Sequence, residues 1–547
     1  MSLSTLPLEL KLKTIAELEA QDILHLAQSS KSMYELIEGS PDAWKGLLKR
    51  LCASEKWIWA SYDDLPTAFE FKNACVRSTR FIKLVCDEDS DDLKILDFIQ
   101  PFASTAIDST SSSSGGHLSQ LASSSPVTFQ REFASTALVY LVPGGRFFVT
   151  VNAPSLFLWD LRRPAFEGST GSRAPSILSR HDLFFQKSPV LVLAEVINAS
   201  TVIILFEETE PEGEATFRSS FELVEIQFTA GDPPSIRTLG RLRVLFPLPN
   251  ATTVAIYHDR QVFIHIHRTT LAWKYHQKCY SMWNVGDAPD VSSDPSETSG
   301  QWIYSILARQ ANLLYIGVRG VHGLPFPDDS FYRAIQDDEV PSRRPSQILE
   351  VPFAFTIPHP LDIAGSPEGA CVTVLRNISN TGPVIYGVGE TDYSKFLRTA
   401  FALNLYHLHI NPADPSTSTV RLAGSSVIAS TFHLEPLHNF PCGPDKVGFL
   451  WSNPYVDVDV DENATIHISI TRFTSTATSA MGPASTTETS SPAVIESTLK
   501  ETIKWSRSPG VPRVYSLCAA TGRLAVLWDL EDPENDSDRL LEVYDFL

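Results

Sequence analysis

The side chains that could carry bond chemistry are scattered, and none falls at a catalytic spacing. The chain has no G-x-S-x-G nucleophile turn, H-E-x-x-H metal helix, G-x-x-x-x-G-K-[ST] phosphate loop or G-x-G-x-x-G turn. The nearest approach to a phosphate loop, Gly443-Pro-Asp-Lys-Val-Gly448, runs on into Phe449 and lacks the essential lysine. Asp457, Asp459 and Asp461 alternate with valine and invite a calcium reading. An EF-hand loop needs glycine at its sixth position and glutamate at its twelfth, where this chain has Glu462 and Ile468. The alternation fits one solvated face of a strand better. His265 and His267 share a strand face, as do His407 and His409, but neither pair has a recognisable third zinc ligand. Seven cysteines (Cys52, Cys75, Cys86, Cys279, Cys371, Cys442 and Cys518) are odd in number and never form C-x-x-C. They read as reduced intracellular thiols rather than a disulfide frame or a zinc site. No catalytic residue, metal or cofactor is expected, and the chain reads as a non-enzyme.

Composition narrows the partners. The 547 residues carry a net charge of −20, which argues against nucleic acid or an anionic membrane and favours a basic partner. No secretory leader and no apolar run of ~18 residues is visible, so a cytoplasmic or nuclear protein is expected. Hydrophobic residues make up 43% of the chain, enough for a sizeable core.

The first fifty residues have helical texture. Leu6-Pro7 opens the segment with proline at the first helical position, where its missing N–H costs nothing. Leu8, Leu12, Ile15 and Leu18 then line one helix face. Asp22 is placed to cap a second helix carrying Ile23, Leu24, Leu26 and Ala27. A third amphipathic piece holds Tyr34, Leu36 and Ile37, stops at Gly39-Ser40-Pro41, and is followed by Trp44. Fifty residues seldom build an adequate core alone, so surplus apolar surface points to a covering partner. DNA reading is disfavoured, because six Lys/Arg stand against seven Asp/Glu here.

This order of residues, from about Leu3 to Leu48, resembles the F-box. The Leu-Pro opening, the acid before a Leu-rich second helix, the Ser29-Ser30-Lys31 step and the late Trp44 carry the likeness. The resemblance implies a three-helix module over residues 1–50 that docks the Skp adaptor and, through it, a cullin. Leu6, Pro7, Leu10, Ile15, Leu18, Ile23, Leu24, Leu26 and Ala27 would be buried partly within the module and partly against the adaptor. Lys11 and Thr14 stand where the family usually has apolar residues, and Met33 replaces the usual aromatic.

A helix from Thr67 to Arg80 is expected in a helical linker over residues 51–80. From Phe81 the texture becomes short β-branched and aromatic runs, such as Arg146–Val151, Thr201–Phe206, Phe221–Phe228, Gln261–His267, Leu313–Val318 and Ile466–Ile470. An all-β region of this length is reached most simply by repetition. Pro143–Leu161 and Thr521–Leu530 both open on Gly-Arg and end on Trp-Asp, at Trp159-Asp160 and Trp528-Asp529, which resembles the blade pattern of WD-repeat propellers. Residues 109–126, 285–300, 325–346 and 474–492 read as disordered loops. Subtracting them from 81–547 leaves about seven blades of ordinary size. A strand at Leu540–Phe546 is expected to close the ring with material from near residue 81. The fold class expected is multi-domain: a small three-helix F-box, then an all-β propeller.

F-box and divergent-propeller chains of this texture resemble a large family expanded in fungi. The likeness implies the substrate-recognition subunit of an SCF-type ubiquitin ligase, with the propeller holding an unidentified protein target. The alternative is a β-propeller interaction scaffold with no role in ubiquitination.

Overall fold

Capping and helix spacing shape the N-terminal part. α1 (Leu8–Glu17) starts directly after Pro7, one position later than expected. α2 (Ala20–Ser29) begins ahead of Asp22, which is therefore not the cap; its carboxylate lies in the first turn and faces the positive end of the helix. Ser30 caps α3 (Lys31–Glu38), its hydroxyl accepting the Met33 N–H at 3.3 Å. The three-helix expectation is corrected by α4 (Pro41–Ser54), which begins at Pro41 and buries Trp44, Leu47, Leu48 and Cys52. Gly39-Ser40-Pro41 is a corner between two helices, not the end of the helical part.

α5 (Ala68–Cys86) opens with a capping box. The Thr67 N–H donates to Glu70 Oε2 at 3.1 Å, and the Glu70 N–H donates to Thr67 Oγ1 at 3.2 Å. It continues past the expected boundary at residue 81. Nor is it a spacer. Lys72 forms a largely buried ion pair with Glu38 of α3, and Cys75 Sγ lies 3.6 Å from the Trp44 carbonyl oxygen.

The computed structural model describes residues 6–86, 127–129 and, with internal gaps, 138–545. After the five α-helices the described strands form seven sheets in chain order, mostly antiparallel. The first pairs Leu138–Leu141, Phe147–Asn152, Ser155–Asp160 and Ser176–Asp182. The second pairs Val190–Asn198, Thr201–Pro211, Phe217–Gln227 and Ser235–Phe246. The third holds Thr253–His258, Gln261–Ile266, Thr269–Lys274 and Cys279–Val285. Its outer edge also takes Arg333–Ala334 and, in parallel, Leu349–Val351. Part of the 325–346 segment expected as a loop is thus a strap on a sheet edge, where it satisfies backbone groups that would otherwise be open.

The fourth sheet runs Ile303–Arg309, Asn312–Gly317, Gly320–Pro325 and Phe355–Pro358, and the sixth Glu435–Pro441, Lys446–Ser452, Thr465–Thr474 and Val494–Lys504. The fifth departs from this pattern: Cys371–Asn377 lies between Thr381–Gly387 and Ala400–His409, parallel to the latter, with Thr419–Ala429 outermost. The seventh joins Gly510–Cys518, Arg523–Leu530 and Arg539–Asp545 to Val127–Phe129, so its closing partner is residues 127–129, not material near residue 81. Of the loops expected at 109–126, 285–300 and 474–492, Val285 and Thr474 instead end strands, and the rest lie outside the described residues.

Period-two alternation in the second sheet explains how sheets pack face to face. Val202, Ile204 and Phe206 enter a core shared with the first sheet, while Ile203 and Leu205 enter one shared with the third. A strand buried on both faces reads as a continuous apolar run, as Thr201–Phe206 does. Contacts also link each later sheet to its successor, and the seventh to the first.

Candidate functional site

The structure sorts the nine residues expected at the adaptor surface into two groups. Ile15, Ile23, Leu24 and Ala27 are buried in the module's own core, and Leu18 and Leu26 pack against it half-buried. Pro7 and Leu10 lie at the outside, with Leu10 49% exposed, and Leu6 before them is half-buried. Leu8 joins them at 54%, although the spacing rule places it on the buried face. Only Ile15 of α1 is fully buried among its described side chains, with Lys11 and Leu12 half-buried. Tyr34 of α3 is also exposed. Helix periodicity finds an apolar stripe but cannot say how far along it the neighbouring helix reaches. Burying one leucine fully is worth ~1.5–3 kcal/mol, so the outward Pro7-Leu8-x-Leu10 turn offers a partner several kcal/mol.

The opposite side of the module is fastened to the sheets. Trp44, Leu48, Phe71, Val139, Phe148, Leu527 and Leu541 belong to one buried cluster that crosses from the helices into the first and seventh sheets. Between α4 and α5 the chain pairs with two sheet turns: the Ile58 N–H donates to the Pro143 carbonyl at 2.9 Å and the Trp59 N–H to Ala199 at 2.7 Å. Lys56 reaches Glu195 at 2.9 Å, half-exposed. Arg146 donates through Nη1 to the Ala60 carbonyl at 3.1 Å and forks onto Asp160 at 3.1 and 2.9 Å. Burial removes water from Arg77 of α5 and lowers its guanidinium to about 10, with Asp545 pulling the other way.

The same framework places the two Trp-Asp segments, and they are not equivalent. Trp159-Asp160 ends the third strand of the first sheet, whereas Trp528-Asp529 lies near the end of the second strand of the seventh. The true counterpart of Arg146–Asp160 is Arg523–Asp545, a second forked pair at 2.7 and 3.0 Å whose acid follows Tyr544. Trp528 is fully buried and donates its indole N–H to Glu542 at 3.0 Å. Arg523 also reaches the Gly145 carbonyl at 2.6 Å, joining the seventh sheet to the first. Gly145 sits at φ +69°, and a Cβ there would lie 2.1 Å from Thr521 Oγ1, so only glycine fits that junction.

His265 is buried with Nδ1 2.9 Å from Thr270 Oγ1, a packing role. His267 and Asp457, Asp459 and Asp461 lie outside the described residues, and only the strand carrying His407 and His409 is described. Among the described residues no group of three or more His, Cys, Asp or Glu could hold a metal ion, and no helix is long and apolar enough to cross a membrane.

No protein-family model matches the chain, and no curated protein matches it. Among solved structures, the N-terminal domain of Nup159 is similar at 10% identity, covering 78% of this chain and 94% of that one, with a TM-score of 0.31. A chain from an S. cerevisiae complex of Dbp5 with Nup159, Gle1, IP6 and ADP gives 11%, 78%, 94% and 0.29. The AfRom2 CNH domain gives 10%, 59%, 77% and 0.24. At such scores these likenesses carry no weight, and the architecture rests on the strand pairing itself.

Proposed function

We propose that this chain is the substrate-recognition subunit of an SCF-type cullin ubiquitin ligase. In this reading the outward turn of α1 docks the Skp adaptor and the sheets hold a protein target. One observation carries it: Pro7, Leu8 and Leu10 face solvent in a segment with F-box residue order, on a module whose other side is already buried. We read the seven sheets as blades of one closed, divergent WD-repeat-like propeller, because each meets the next in chain order and Val127–Phe129 completes the last. Such a subunit performs no bond chemistry; it raises the concentration of target near the ubiquitin-loaded enzyme.

The test is capture of a co-expressed Skp adaptor by the full-length chain. A Leu6→Ala, Pro7→Ala, Leu10→Ala triple variant is expected to lose the adaptor while keeping its thermal midpoint. Equal recovery by the variant overturns the proposal. Deleting residues 1–50 is a poor substitute, since it would strip Trp44 and Leu48 from a core shared with the sheets.

That shared core favours a second reading. The module would be a structural cap, and the chain a propeller interaction scaffold outside ubiquitination. Failure of the wild type to retain the adaptor selects it.

A further inference from the structure

One short turn, residues 143–146 between the first two strands of the first sheet, is held by three parts of the molecule. The connector between α4 and α5 reaches it through the Ile58 N–H, which donates to the Pro143 carbonyl at 2.9 Å. Arg146 answers from the turn: its Nη1 lies 3.1 Å from both the Ala60 carbonyl and Asp64 Oδ1, and 3.8 Å from Asp63. Its Nε and Nη2 fork onto Asp160 of the turn's own sheet. The seventh sheet holds the same four residues. The Gly144 N–H donates to Cys518 Sγ at 3.4 Å, and the Gly145 carbonyl accepts from Arg523 Nη1 at 2.6 Å.

Consecutive glycines let both neighbours come this close. A Cβ on Gly144, at φ +112°, would lie 2.4 Å from Ser61 Oγ of the connector, just as one on Gly145 would meet Thr521 of the seventh sheet. Neither glycine accepts a side chain unless the connector or the seventh sheet moves.

From this arrangement we infer that the 143–146 turn is a coupling element, through which closure of the seventh sheet on the first controls the seating of the helical module. Apolar burial has no direction, so the cluster that runs from the helices into both sheets does not by itself fix where the connector sits. A guanidinium bonds in a fixed geometry and does fix it. Arg146 holds Ala60 and Asp160 together only while the turn keeps its place. That place is set by Cys518 and Arg523, which meet the turn from 374 and 378 residues further along the chain. Contacts that share one short segment bias it together, which is the physical condition for coupling. Under the receptor reading, on which this consequence alone rests, the part that docks the adaptor is locked onto the sheets only when the last sheet is complete.

The experiment follows hydrogen exchange by mass spectrometry in the full-length chain, in peptides covering connector residues 56–65 and, as a reference, residues 202–206 of the second sheet. Arg523→Lys keeps a cation beside Asp545, but one ammonium cannot fork onto that acid and also reach the Gly145 carbonyl. It is expected to speed exchange in the connector roughly tenfold, although the contact it loses lies on the turn. Arg146→Lys should act similarly, and the double variant no more strongly than the larger single effect, as groups acting through one element do. Arg237→Lys, which weakens a pair with Glu225 in the second sheet, should leave the connector unchanged. Unchanged connector exchange in Arg523→Lys overturns the inference. So does a double variant whose effect is the product of the two singles, an equal acceleration in residues 202–206, or a connector that responds to Arg237→Lys. Adaptor capture is read separately: its absence in the wild type would strike the receptor reading and leave the exchange result standing.

Discussion

Trp44 and Leu10 belong to the same small helical module, yet Trp44 is wholly enclosed and Leu10 is about half exposed. Trp44 packs where α4 meets α5 and belongs to the buried cluster that runs on from these helices into the first and seventh sheets. Leu10 stands outward on α1 beside Leu8, which is exposed too. The difference teaches that apolar content alone does not mark a binding surface. What marks it is apolar content on the side that the fold has not already used.

That contrast predicts that the inner side is costly to change and the outer side nearly free. Trp44→Ala is expected to cost ~3–5 kcal/mol, the range for truncating a buried aromatic. Urea unfolding followed by circular dichroism should lose helix and sheet signals in one transition. Separate transitions would mean that the two parts do not share a core.

A smaller effect on the same side concerns Cys52 of α4, whose thiol burial pushes up from 9.0 to about 12. The folded state holds that proton more tightly than the unfolded state, so this contribution is intact below pH 9 and is lost as pH rises toward 12. At pH 10 the loss is on the order of 1 kcal/mol. Comparing melting temperatures of the wild type and Cys52→Ala from pH 8 to 11 isolates it, because the buried tyrosines titrate alike in both. Parallel curves would refute it.

The smallest effect belongs to the outer side. A Leu8→Ala, Leu10→Ala variant should change stability by no more than about 0.5 kcal/mol, since exposed positions lose little packing and alanine is a better helix former. A larger loss in urea titration would mean that α1 already buries these leucines in solution.

Much of the sheet region was legible because its signal is local. The runs at Thr201–Phe206 and Gln261–His267 alternate or are continuously apolar; the first falls on a strand, as does the described part of the second, Gln261–Ile266. The described strands form seven sheets, and chain length alone led to an expectation of about seven blades. Position within a sheet was not legible. Trp159-Asp160 and Trp528-Asp529 look alike in sequence, but the ion pairs that matter span 14 residues from Arg146 and 22 from Arg523. The longer connection in the seventh sheet hides the match. Leu8 misled for a similar reason: spacing defines a helix face, while α4 decides how much of it is covered.

The seventh sheet sets a schedule for synthesis. Its earliest-made strand, Val127–Phe129, lies at the sheet's edge and pairs with Leu541–Val543 at the far end of the chain. At ~5–20 residues per second on the ribosome, that strand waits roughly 20–80 seconds for its partner. Leu541 and Val543 are also part of the core under α4 and α5, so the helical module is made first and seated last. Nascent chains therefore carry the module's apolar underside uncovered through most of translation, an interval in which a chaperone has a binding surface and the finished protein has none.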